Sequence, residues 1–233
     1  MFIPLYDYNP LRHLTRPYAN YALIAFTVLS FFMTGGFDQY AVENAAVGLG
    51  LIPSVVNDFE DLPAAYVLVP EDATYITYAF LHANWLHLGG NMAFLWVFGD
   101  NIEDALGHFR YVLFYLACAA VAAFAHAFIN YTSPTPLIGA SGAVAGVVGA
   151  YLILHPRVKL WILAFGRIPL RLSAALVIGA WAVFQVFNII FANPEEAIAW
   201  WAHLGGMVAG GLFIVVLRRP GVPLFDRDTP APG

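Results

Sequence analysis

Hydrophobic residues in this chain come in long charge-free runs, and polar residues gather in the breaks between them. About 20 consecutive apolar residues carry an α-helix across a hydrocarbon core, and six runs approach that length. A polar lead at 1–16 (MFIPLYDYNPLRHLTR) precedes the first span, expected at about 17–36. No A-x-A site follows that run, so a cleaved signal peptide is not the expectation. The second span is expected at about 81–99. The uncharged stretch between Arg110 and Arg157 holds a third at about 111–129 and a fourth at about 139–155, parted by Asn130 to Pro136. Proline and hydroxyl residues there break the helix. A fifth at 172–192 and a sixth at about 199–217 flank the turn Asn193-Pro194-Glu195-Glu196. The connection at 37–72 is rich in Gly, Pro and acids. Its apolar pieces, 45–56 and 64–69, are too short to span and are expected to lie in the interface as a partly folded loop. The Pro-rich tail at 220–233 is expected to be disordered.

Composition agrees with this pattern. Of 233 residues, 61% are apolar and 11% charged, and the mean hydropathy is +0.71. Soluble domains carry roughly 25% charged residues, so most of this chain belongs in a bilayer. The single cysteine, Cys118, excludes an internal disulfide and a cysteine-based metal cluster.

Charge then orients the spans. Six crossings put both termini on one side, and all 10 Lys and Arg residues fall on that side. The other side has none, yet it holds Asp38, Glu43, Asp58, Glu60, Asp61, Glu71, Asp72, Glu195 and Glu196. By the positive-inside rule both termini are cytoplasmic. The expected fold is an all-α, polytopic membrane protein: a six-transmembrane-helix bundle at 17–219 between a cytoplasmic lead at 1–16 and a cytoplasmic tail at 220–233.

Candidate chemistry lies at matching depths in two of the spans. Gly139-Ala140-Ser141-Gly142 opens the fourth, and Ala202-His203-Leu204-Gly205-Gly206 lies in the sixth. Ser141 stands 16 residues before Arg157 and His203 stands 15 before Arg218. At 1.5 Å per residue both sit roughly 22–24 Å above the inner charges, below the outer surface of a core about 30 Å thick. Gly142, Gly146 and Gly149 on one helix, and Gly206 and Gly210 on the other, form small-residue stripes. Such stripes let helix backbones approach closely. By itself Gly142-x-x-x-Gly146 reads equally as plain helix packing. Intramembrane ionisable residues, however, are functional candidates by default, and a neutral buried histidine is what a general base requires. The second span adds His82, His87 and Asn91. His87 and Asn91 share a helical face; Asn91 also reads as interhelical polar glue, and His82 as a hydrogen-bonded structural residue. Three histidines without carboxylate support make a poor metal site. Amide and imidazole donors facing a buried serine suit an oxyanion hole.

These motifs resemble those of the rhomboid intramembrane serine proteases. The resemblance covers about residues 10–219 and rests on His87-Leu-Gly-Gly-Asn91, Gly139-Ala-Ser-Gly142 and Ala202-His203-Leu-Gly-Gly206, in the expected spans and order. It implies Ser141 as nucleophile and His203 as general base, with His87, Asn91 and the Ser141 backbone N–H binding the oxyanion. Glu103 matches a structural carboxylate, and His82 a structural histidine of the first loop region; Gly139, Gly142 and Gly206 belong to the matched motifs. The 37–80 segment would be the membrane-embedded first loop and the fifth span the lateral gate. No metal or organic cofactor is implied, and the partners would be transmembrane protein substrates and the lipid bilayer, with no nucleic acid. The opening Met-Phe-Ile-Pro-Leu-Tyr-Asp is similar to bacterial members, which points to a prokaryotic cytoplasmic (inner) membrane. Two features depart from the family. The first loop lacks a Trp-Arg pair, with Ala73-Thr74 near that place, and Ala145 stands where many members have an aromatic ring beside the histidine. A small-solute channel or transporter, with the same polar groups lining a path, is the alternative reading; a silent escort of membrane proteins is a third, disfavoured by the intact Ser141 and His203.

Overall fold

The computed structural model describes residues 2–191 and 199–226. Each charge-free run contains a helix. In chain order these are α1 (Tyr18–Met33), α2 (Gln39–Leu49, within the first connection), α3 (Trp85–Phe94, continued by Leu95–Gly99 and Asp100–Leu106), α4 (His108–Ile129), α5 (Ser141–Leu154), α6 (Ala174–Phe191) and α7 (Trp200–Leu217). By length and composition α4, α6 and α7 are each apolar enough to cross a membrane, while α1 and α5 are apolar but shorter. The turn expected at 193–196 lies outside the described residues. Helix α5 is the centre of the bundle: from Gly142 to Tyr151 every residue is buried, and α3, α4, α6 and α7 all pack on it.

Helix α3 departs from its expected bounds at both ends. It begins late because Asn84 caps it, the side-chain oxygen accepting from the His87 N–H at 2.9 Å; His82 therefore lies just before the helix. It runs on to Leu106 before Gly107, at φ 86°, ends it. The extra turns carry charge into a buried place because backbone N–H groups wait there. Glu103 is fully buried and accepts from the N–H groups of Ala19 (3.0 Å) and Asn20 (2.7 Å), capping the start of α1. It also meets His108 Nδ1. Asp104 accepts from the N–H groups of Arg12 (2.9 Å), His13 (2.8 Å) and Leu14 (2.6 Å). Midway, a π-helical turn at Leu95–Gly99 interrupts α3. The Asn20 amide donates to the Leu95 carbonyl there at 2.9 Å, and the Tyr111 hydroxyl donates to the same amide's oxygen at 2.8 Å.

The fold is not wholly helical, which corrects the all-α expectation. A three-stranded antiparallel sheet, ordered β1-β2-β3, joins β1 (Phe2–Asp7), β2 (Lys159–Ala164) and β3 (Ile168–Ser173). Strands β2 and β3 form a hairpin with a three-residue connection, Phe165 to Arg167; Phe165 and Gly166 both have positive φ, 53° and 67°, and the Arg167 N–H donates to the Ala164 carbonyl at 3.1 Å. On β2 the side chains of Leu160 and Ile162 are buried while Lys159 faces out, the period of two that a half-buried strand demands. Pro4 is tolerated because β1 is an edge strand.

Both terminal segments are tied to the bundle. Beyond β1, the Asn101 side chain donates to the Asn9 carbonyl at 2.8 Å, and Tyr151 donates to Asp7 at 2.6 Å. After α7, the Phe225 N–H donates to the Ile153 carbonyl and the Asp226 N–H to that of Leu154, each at 2.9 Å. His155 Nδ1 lies 2.8 Å from the Asp226 carboxylate. Within the expected disordered tail, Val222 and Asp226 are therefore buried against the bundle; 227–233 lie outside the described residues.

Asp7 offers a test of this sheet-to-bundle joint. Burial pushes its carboxyl up to about 6, partly offset by the Tyr151 hydroxyl and by His155. The folded state thus holds the proton more tightly than the unfolded chain, so this group's contribution to stability falls as pH rises from about 4 through 6. Asp7→Asn keeps an acceptor for Tyr151 and removes the charge. Its Tm should exceed that of the wild type at about pH 8, with the gap closing as the pH is lowered to about 4; a constant gap would contradict the assignment.

Candidate active site

The site is assembled by close contact between α5 and α7. A methyl group built on Gly206 would collide with the Gly142 carbonyl, and one on Gly210 with the Gly146 carbonyl. With nothing but glycine at these crossings the two backbones touch, as small-residue interfaces allow. Ser141 is the first residue of α5 and His203 lies near the start of α7. Their side chains meet: His203 Nε2 stands 2.9 Å from Ser141 Oγ.

The approach to Ser141 is held from the other side. Gly139 adopts φ 119°, a conformation that side chains rarely take, and its N–H donates to the Tyr78 carbonyl at 2.9 Å. The His87 imidazole lies so near Gly139 that a side chain there would overlap the ring. His82 Nε2 accepts weakly from the Ala140 N–H at 3.4 Å, and the His82 and His87 rings are 4.9 Å apart. Asn91 is buried on α3 and donates its amide to the His87 carbonyl at 3.1 Å. As the first residue of a helix, Ser141 has a backbone N–H with no acceptor inside the helix, at the positive end of its dipole.

The structure thus joins Ser141 directly to His203, and gathers His82, His87 and Gly139 around the serine, with Asn91 one turn along α3. Gly142 and Gly206 form the contact beneath it. Glu103 is elsewhere: sixteen residues after His87, it lies roughly 24 Å down α3.

One group beside His203, Gln185, was not singled out from the sequence. Gln185 on α6 is buried, and its Oε1 is 2.9 Å from His203 Nδ1. One signal was available: it is one of only two amides in an otherwise apolar helix. The aromatic ring missing at Ala145, which is itself fully buried, is replaced from other helices. Trp181 on α6 faces the imidazole with ring centres 6.1 Å apart, and Trp200 on α7 meets it edge-on at 6.2 Å. The first loop is anchored without a Trp-Arg pair. Leu51 bridges to Leu137, the Asn57 amide donates to the Ala127 carbonyl at 3.1 Å, and the Thr77 hydroxyl to that of Leu49 at 2.5 Å.

The Rhomboid domain profile matches residues 71–220, which include every element of this site. The chain belongs to the rhomboid family. Among similar rhomboids, RHOMBOID-like protein 12, mitochondrial, of Arabidopsis thaliana is 31% identical over 63% of this chain and 46% of its own length. Rhomboid protease GluP of Bacillus subtilis is 30% identical over 65% of this chain and 27% of its own. Rhomboid protease GlpG of Haemophilus influenzae is 24% identical over 58% and 65%. The chain therefore aligns with less than half of the first two of these rhomboids, and the family places it in a membrane.

Substitution at the rhomboid glycine contact separates packing from coincidence. Gly206→Ala forces two backbones apart, at an overpacking cost of roughly 1–3 kcal/mol, and should lower the Tm in detergent. Gly179→Ala, on α6 where an added methyl meets nothing within 4 Å, should leave it unchanged. Equal behaviour of the two variants would refute the close contact.

Proposed function

We propose that this chain is an intramembrane serine protease that hydrolyses peptide bonds in or next to transmembrane segments of other membrane proteins. The observation that carries this reading is the 2.9 Å contact between Ser141 Oγ and His203 Nε2 in a mostly helical, membrane-embedded rhomboid. A serine hydroxyl is a weak nucleophile until a base takes its proton. In the proposed reaction Ser141 Oγ attacks the scissile carbonyl while its proton passes to His203 Nε2. The tetrahedral oxyanion is received by the Ser141 N–H, with His87 and the Asn91 amide as further donors. His203 then returns the proton to the leaving amine, and water, activated by the same histidine, cleaves the acyl-enzyme. His82, Glu103, Gly139, Gly142 and Gly206 support the frame.

We further propose six crossings at 17–219, with both termini cytoplasmic. Helix α5 has 14 residues, about 21 Å of a core about 30 Å thick, which supports a serine recessed below the outer surface. The relatives carry mitochondrial, chloroplastic and bacterial names, so family membership alone selects no one membrane. The prokaryotic cytoplasmic membrane is proposed from the opening residues and the charge distribution. Topology is tested by single cysteines in a Cys118→Ser background. Asp58→Cys should react with an impermeant thiol reagent outside intact cells and Lys159→Cys should not; outside labelling of the latter would overturn the six-crossing arrangement.

Activation of the serine is tested with a small apolar fluorophosphonate on the purified protein. Adduct should form on Ser141 and vanish in Ser141→Ala and His203→Ala. Both variants should lose cleavage of a transmembrane substrate, and the double variant should be no worse, since the two groups act as a unit. Asn91→Ala should retain activity lowered about 10²–10³-fold. No adduct on folded wild-type protein from neutral to alkaline pH would defeat the protease and favour a polar path for small solutes.

A further inference from the structure

We propose that Gln185 is the positioning residue for His203, completing a Ser141–His203–Gln185 relay in which a neutral amide stands where a carboxylate would complete a triad. The proposal rests on the protease reading of the same site and adds to it the group that sets the histidine's tautomer. A neutral imidazole carries one proton on one of two nitrogens, and the hydrogen bond made by one nitrogen decides the role of the other. The Gln185 oxygen can only accept. At 2.9 Å from Nδ1 it therefore requires the proton on Nδ1, leaving the Nε2 lone pair facing Ser141 Oγ at 2.9 Å. With the amide turned over, its NH₂ would donate to Nδ1 and put the proton on Nε2, where it could not accept from the serine. The structure places the amide oxygen, not the nitrogen, beside Nδ1. Gln185 is 2% exposed, and it is held on a helix separate from those bearing the other two groups. Trp181 and Trp200 flank the ring and limit its rotation, but neither supplies an acceptor to Nδ1, because an indole only donates. Orientation therefore falls to the glutamine.

The test uses the full chain purified in detergent, with three substitutions on α6. Gln185→Leu removes the acceptor, Gln185→Glu keeps a carboxyl oxygen in its place, and Asn188→Leu alters the helix's other amide, which bonds back to the Phe184 carbonyl. Gln185→Leu should lower kcat on a transmembrane substrate, and the rate of fluorophosphonate labelling, by about 10–100-fold. That is the range for partners that fix a histidine's tautomer in other sites. KM should change little, Gln185→Glu should recover most of the loss, and Asn188→Leu should match the wild type. ¹⁵N spectra of His203 should show the proton on Nδ1 in the wild type and a mixture of tautomers in Gln185→Leu. Wild-type kinetics in Gln185→Leu would overturn the proposal, and so would a wild-type His203 protonated on Nε2; the latter result needs no variant to fold. Failure of the protease reading is distinct from both, because wild-type Ser141 would then form no adduct while the ¹⁵N spectrum still reports on the glutamine.

Discussion

Direct backbone contact between α5 and α7 is the constraint on which the remainder depends. Gly142 against Gly206 and Gly146 against Gly210 leave no room for a side chain at either crossing. Inside a bilayer no hydrophobic force draws helices together, so dispersion at close range and interhelical hydrogen bonds have to do it. The same closeness gives Ser141 and His203 their reach. A serine hydroxyl only two bonds from its Cα meets the imidazole because the helices are this close. Packing and chemistry are thus one feature seen at two points along the same pair of helices.

Several buried polar side chains in this molecule find their partners on other elements. Glu103 caps α1, Asp104 gathers three N–H groups of the lead, Asn20 fills the break in α3, and Gln185 reaches from α6 to α7. Leaving a buried group unpaired costs roughly 1–3 kcal/mol, more than its hydrogen bond contributes when made. Each bond therefore penalises wrong pairings more than it stabilises the right one. An apolar interior built this way specifies one arrangement of helices where leucine contacts alone would permit several.

Much of this was legible in the sequence because a bilayer imposes simple rules. Charge-free runs located the helices, and counting residues from the inner charges put Ser141 and His203 at matching depth. What stayed hidden was non-local. The strand at 159–164 reads as a charged connection until 2–7 is brought beside it from some 160 residues away. The extension of α3 through Asp100–Leu106 makes no sense as a membrane helix until the N–H groups at 12–14 and 19–20 are placed against it. Gln185 is visible as a polar residue in α6, but nothing in the local pattern says which way it faces. The absence of an aromatic at Ala145, and the option of a ring from another helix in its place, were readable; which rings take the place, Trp181 and Trp200, was not.

The amino-terminal attachment has a consequence for biosynthesis. Among the described residues strand β1 has its one strand partner at Lys159–Ala164, and the N–H groups at 12–14 wait for Asp104. At about 5–20 residues per second of synthesis, the first strand spends on the order of ten to thirty seconds on the ribosome with nothing to pair with. Phe2 to Asp7 is therefore an unpaired, largely apolar strand edge while the chain up to residue 164 is being made. Its closure onto β2 is a long-range step that cannot begin until residues up to 164 have been made.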